Sequence, residues 1–106
     1  MRTLNTSNYP LVLRDPDRPE VAEYDVRTTL ANLLFGPQLQ LSGAEAIKQD
    51  DLARKIMDSN GTTLLEEEEF QRLQRAVEAF RGYTRNEVPL LRRVAECPEV
   101  QVKPVE

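Results

Sequence analysis

Along this chain, apolar residues return at helical spacing in four stretches and alternate with polar ones only near the two ends. Val26, Leu30, Leu33 and Leu34 fall at 0, 4, 7 and 8, one face of a helix through VRTTLANLLF. Leu52, Ala53, Ile56 and Met57 form the buried stripe of a second helix, and Ile47 stands off that stripe. Phe70, Leu73, Val77 and Phe80, at 0, 3, 7 and 10, give a third helix one narrow apolar face. Val88, Leu91, Val94 and Ala95 turn inward on a fourth. Before the helices, Leu11-Val12-Leu13 and a return limb with Val21 and Tyr24 flank a polar turn bracketed by Pro16 and Pro19. This is the pattern of a β-hairpin with a longer loop. A lone hairpin is marginal in water, so it must lean on the helices. Residues 1–10 show no period and are expected to form a flexible arm; 11–96 make a single globular domain. EVQVKPVE alternates apolar and polar residues, as a C-terminal tail or short edge strand over 97–106.

Start and stop signals punctuate these stripes. Asp25 is an N-cap for the first helix, and Gly36-Pro37 stops it, leaving QLQL as an extended linker. Ser42 with Glu45 has the form of a capping box for the second, which runs to about Ser59. Asn60-Gly61 is a strong stop, because both residues tolerate positive φ. Thr63 with Glu66 reads as a second box opening the third helix, on which Glu68 and Arg72 are spaced as an i,i+4 pair and which Gly82 ends. For the fourth, Asn86 is preferred over Thr84 as N-cap, because Pro89 then falls at N3, where its missing N–H breaks no bond. The fold class expected is α+β, mostly α: an N-terminal β-hairpin packed on a bundle of about four short helices.

Residues 58–69, DSNGTTLLEEEE, invite comparison with a calcium loop. An EF-hand loop needs oxygen ligands at positions 1, 3 and 5, glycine at 6 and glutamate at 12. Counting from Asp58 puts Thr63 at position 6; putting Gly61 there makes Ile56 the first ligand, and it offers no side-chain oxygen. The stretch is better explained as a helix stop followed by a helix start, with Glu66 to Glu69 beside exposed N-terminal amides.

Composition narrows the chemistry. The chain has 106 residues, 14 basic and 18 acidic, for a net charge of −4, which argues against nucleic-acid binding by the whole surface. It contains no histidine, which removes the commonest general base and any His-bearing zinc site or Ser-His-Asp set. Its one cysteine, Cys97, makes no internal disulfide and has no histidine to activate it as a nucleophile. Asp50-Asp51 are neighbours that point about 100° apart on a helix and read as surface charge rather than an acid–base pair. Tyr9, Tyr24 and Tyr83 read as anchors at the edge of the core. The four glycines are isolated, so no phosphate-cradling loop occurs. The chain is therefore expected to be no enzyme, with no cofactor and no metal. Aliphatic runs are too short for a signal segment or membrane span, so a cytoplasmic protein is expected.

Arginine is unevenly placed. Between Gln71 and Arg93 there are six arginines and two glutamates, a net of +4, so the remainder carries −8. Arg81, Arg85, Arg92 and Arg93 are the candidate contacts for a protein partner or nucleic acid. Gly82, Val88 and Leu91 sit at spacings a helix-turn-helix uses, but Glu78 holds the place of a small packing residue and Pro89 stiffens the would-be reading helix. A solvated helix face paired with neighbouring glutamates accounts for the same residues.

The succession YPLVLRDPDRPEVAEYDVRTTLANLL, LSGAEAIKQDDLARKIM and LLEEEEFQRLQRAV resembles small proteins encoded by tailed phages and prophages, over residues 9 to about 95. The loop PDRPEV is richer in proline than that pattern. Proteins of that kind are generally of unassigned function, and the resemblance carries over no catalytic residues; the reading adopted is a non-catalytic phage or prophage protein of the bacterial host's cytoplasm that binds a protein partner or itself, in particle assembly or host takeover. A small DNA-binding protein using the C-terminal helix pair is the alternative.

Overall fold

The computed structural model describes residues 1–11 and 22–99; of Leu11 and Ala22 only the backbone is described. The fold is α+β and mostly α. Strands β1 (Arg2–Asn5), β2 (Tyr9–Leu11) and β3 (Ala22–Tyr24) precede helices α1 (Val26–Leu34) and α2 (Gly43–Met57). Strand β4 (Thr62–Leu65) and helices α3 (Glu67–Ala79) and α4 (Val88–Glu96) follow. The strands form two antiparallel pairs, β1 with β4 and β2 with β3.

The hairpin is present where it is described, with Tyr9 opposite Tyr24 and Leu11 opposite Ala22. Val12, Leu13, Val21 and the turn with Pro16 and Pro19 lie outside the described residues. The first ten residues are not an arm. Arg2–Asn5 pair with Thr62–Leu65, Leu4 is fully buried, and so is Thr6. One apolar side chain decides this: Leu4 pointing inward is enough to seat a four-residue strand whose partner supplies the ladder bonds. The Thr6 amide extends the pairing to the Gly61 carbonyl at 2.9 Å, and its hydroxyl meets that of Ser59 at 2.6 Å.

Strand β4 also corrects the reading of DSNGTTLLEEEE. Thr63 does not open α3. It is a buried strand residue in the run TTLL, where Thr63 and Leu65 point inward and Thr62 and Leu64 outward. The N-cap of α3 is Glu66, whose amide donates to the Glu69 carboxylate at 2.9 Å. Helix α2 ends at Met57 with Asp58 as C-cap, and Arg27 donates to the carbonyls of Met57 and Ser59 at 3.1 Å each. Gly61 then turns the chain into β4 at φ +90°.

Helix α1 is capped as expected: the Asp25 carboxylate accepts from the Thr28 amide at 3.0 Å and its hydroxyl at 2.9 Å. Val26, Leu30, Leu33 and Leu34 are buried. After Gly36, QLQL is not extended: Pro37–Leu39 forms a 3-10 turn that buries Leu39 and ends with Gln40 at φ 49°. On α2, Ser42 accepts from the Glu45 amide at 3.2 Å; Leu52, Ala53 and Ile56 are buried, but Met57 is exposed. Gln49 is buried in its place along the stripe, and its Nε2 donates to the Leu34 carbonyl at 3.0 Å, satisfying a carbonyl at the end of α1.

Helix α3 buries Phe70, Leu73, Ala76 and Val77, with Phe80 half-buried just past its end. The Glu68–Arg72 pair forms at 3.4 Å. The start of α4 differs from expectation. Thr84, not Asn86, is the cap: it opens a 3-10 turn over Arg85–Glu87, and the Glu87 carboxylate accepts from the Thr84 amide at 3.2 Å and its hydroxyl at 2.7 Å. That turn delays the α-helix to Val88, so Pro89 falls at N2, where no bond is lost. The delay also rotates the helix. Leu90 and Val94 are its buried residues, while Val88 and Ala95 face out and Leu91 is half-buried.

Cys97 ends the core rather than starting a tail. It is 1% exposed, and its thiol donates to the Thr3 carbonyl at 3.2 Å. Thr3 donates to the Pro98 carbonyl at 2.9 Å, and Glu99 bridges Arg2 as an isolated antiparallel contact. The rest of the alternating C-terminal segment lies outside the described residues.

Candidate functional site

The four candidate arginines are not equivalent. Arg81 and Arg85 are exposed on the connection between α3 and α4, and Arg92 is exposed on α4. Among the described residues, none of these three faces a carboxylate within 4.0 Å. Arg93 is turned to the protein itself. Its Nη1 donates to the carbonyls of Ser7 at 2.6 Å and Asn5 at 3.4 Å, and its guanidinium lies 5.2 Å from the Tyr9 ring centroid. Arg93 thus holds the β1–β2 connection against α4, and among the described residues the other three arginines have no carboxylate partner. The connection spans residues 80–87, longer than the turn of three or four residues in a helix-turn-helix.

The same connection walls a groove of about 310 Å³ facing the end of α1. Tyr24, Phe35, Phe80 and Tyr83 put four aromatic rings on it, and Leu33 lies at its base. Thr29, Asn32, Gln38 and Glu87 supply its polar positions. The walls are held from behind. Tyr9 stacks on Tyr24 with ring centroids 4.9 Å apart and donates its hydroxyl to the Asn86 carbonyl, which ties the hairpin to the connection. Phe80 and Tyr83 pack with centroids 4.8 Å apart, and the Tyr83 hydroxyl donates to the Val77 carbonyl at 2.7 Å. Gly82 makes this possible: at φ +109° it reverses the chain between the two rings, a conformation that a side chain would strain. Burial is the main reason the Tyr24 and Tyr83 hydroxyls ionise above the usual tyrosine range, with the Glu87 carboxylate adding to it. Phe35 stays 45% exposed although it lines the groove.

Of the four rings, Tyr24 and Tyr83 were visible in the sequence as edge anchors and Phe80 as part of a helix's apolar face; Phe35 was not singled out, and the meeting of the four was not visible. Phe35 follows directly on the buried Leu33-Leu34 pair of α1, off the inward stripe. An aromatic residue just outside a completed stripe is the one signal that pointed to a surface. Among the described residues, no three or more Cys, Asp or Glu side chains gather as metal ligands would, and no helix is long and apolar enough to cross a membrane. No family model, curated protein or solved structure matches the chain.

Proposed function

We propose that this is a non-catalytic protein of a tailed phage or prophage that acts in the host cytoplasm by binding another protein, in particle assembly or host takeover. The phage assignment rests on the sequence resemblance alone. The binding reading rests on one observation: a groove walled by four aromatic rings, with Phe35 left 45% exposed beside it. Aromatic side chains are enriched where proteins meet, because each covers much area with little loss of freedom. Co-purification on the intact chain from its bacterial host tests it. A partner retained by the wild type is lost with Phe35→Glu; identical profiles for the two would overturn the reading.

A second reading is favoured by Arg81, Arg85 and Arg92, exposed and facing no carboxylate among the described residues. Such residues also suit the phosphates of DNA. It predicts a mobility shift that weakens steeply with salt and with Arg92→Ala, and a chain that shifts no DNA at low salt rules it out.

A further inference from the structure

We infer that the occupant of the groove is an acidic segment of the partner protein, inserting one bulky apolar side chain between the rings while its flanking Asp or Glu residues meet Arg81 and Arg85. This rests on the protein-binding reading and names the partner's chemistry. Three observations carry it. First, the connection that walls the groove also carries charge: Phe80, Tyr83 and Glu87 line the groove, and Arg81 and Arg85, between them in sequence, are exposed. A chain laid in the groove thus meets a wall segment that carries two exposed cations. Over residues 80–93 four arginines stand against one glutamate, in a chain whose net charge is −4.

Second, the one carboxylate that lines the groove among the described residues is already engaged. Both Glu87 oxygens accept from Thr84, at 3.2 and 2.7 Å, and Glu87 stands at the N-cap of α4, where the helix's exposed amides offset its charge. An aromatic pocket with a free carboxylate would suit a cationic side chain. Here both oxygens of that carboxylate are held within the fold, and the exposed charges on the same connection that face no carboxylate among the described residues, Arg81 and Arg85, are positive. Third, about 310 Å³ is at the lower limit of ligand pockets, which suits a side-chain anchor better than a cofactor. The Asn32 and Gln38 amides line the groove, and among the described residues neither side chain bonds another protein group, so each offers a donor and an acceptor to a peptide backbone.

The test is selection from a displayed library of random peptides on the intact chain, followed by affinity measurement of the enriched peptides. Enriched sequences are expected to carry an aromatic or large aliphatic residue flanked by Asp or Glu. Arg81→Glu with Arg85→Glu should weaken them by about tenfold or more, as should Phe35→Ala, and added salt should weaken them further. All three positions are exposed, and an unchanged urea midpoint confirms that the variants fold. Enrichment of basic or uncharged peptides, or affinities indifferent to the arginine reversal, overturns the acidic partner and leaves protein binding standing. A library that yields no groove-dependent peptide overturns both.

Discussion

Gly61 shows how a single residue sets the course of the chain. At φ +90° it lets the segment after α2 swing into β4, and its carbonyl accepts from the Thr6 amide at 2.9 Å. A Cβ there would meet nothing within 4 Å, so the penalty of a side chain is conformational and not a clash. Gly61→Ala is therefore expected to destabilise by about 1 kcal/mol, measured as a lower urea midpoint. Asp25 is a second residue with an outsized local role. Hydrogen bonds from the Thr28 amide and hydroxyl hold its carboxyl below its ordinary pKa. A group with a depressed native pKa stabilises above its unfolded value, here 3.8, and loses that contribution as pH falls through the native value. Asp25→Ala should thus cost about 1 kcal/mol near neutrality. The gap between wild type and variant should narrow in acid, below about pH 4; a gap of constant size across that range would contradict the cap.

At the scale of elements, the four helices and the β2–β3 hairpin were legible, and the β1–β4 pair was not. Period and cap are local signals, and Asp25, Ser42 and the Phe70–Leu73–Val77 stripe stand where spacing put them, whereas the caps before α3 and α4 and the inward face of α4 do not. Pairing of β1 with β4 joins residues some sixty positions apart, Arg2 with Leu65 and Asn5 with Thr62. Nothing within four residues of either strand announces that partner. TTLL does alternate inward and outward, yet a Thr followed three residues later by Glu is also how a capped helix begins. Here tertiary pairing overrode a local signal, and the true cap moved to Glu66. The same limit hid the groove, whose rings come from β3, α1 and the α3–α4 connection. Two substitutions separate strand from cap and arm. Thr63→Val keeps shape and suits a strand, so stability should change by less than about 0.5 kcal/mol, whereas loss of an N-cap would cost about 1. Leu4→Ala removes a fully buried side chain and should cost about 2–5 kcal/mol by urea unfolding, where a flexible arm would register nothing.

At the scale of the whole molecule, the two ends of the described chain close on one another through Arg2. Its guanidinium donates to the Glu67 carboxylate at 3.0 Å, to the Cys97 carbonyl at 3.0 Å and to Glu99 at 3.4 Å, and it lies 4.2 Å from the Phe70 ring centroid. One side chain thus joins β1, the start of α3 and the segment after α4. Bonding to Glu67 raises the Arg2 pKa and lowers that of Glu67, so the pair stays charged from mild acid upward. Directly beneath it, Cys97 is 1% exposed, and burial pushes its thiol above the ordinary cysteine range. A thiol reagent can therefore reach Cys97 only when this closure opens, because reaction needs both access and a thiolate. Labelling of native protein should be far slower than of protein in urea. Arg2→Ala should speed it while leaving the helical circular dichroism in place, since the break falls at a seam between the chain ends and not within the helices. Labelling that stays as slow in Arg2→Ala as in wild type would show that the core holds Cys97 without the clasp, and that the long-range contacts of Arg2 decorate the surface rather than close it.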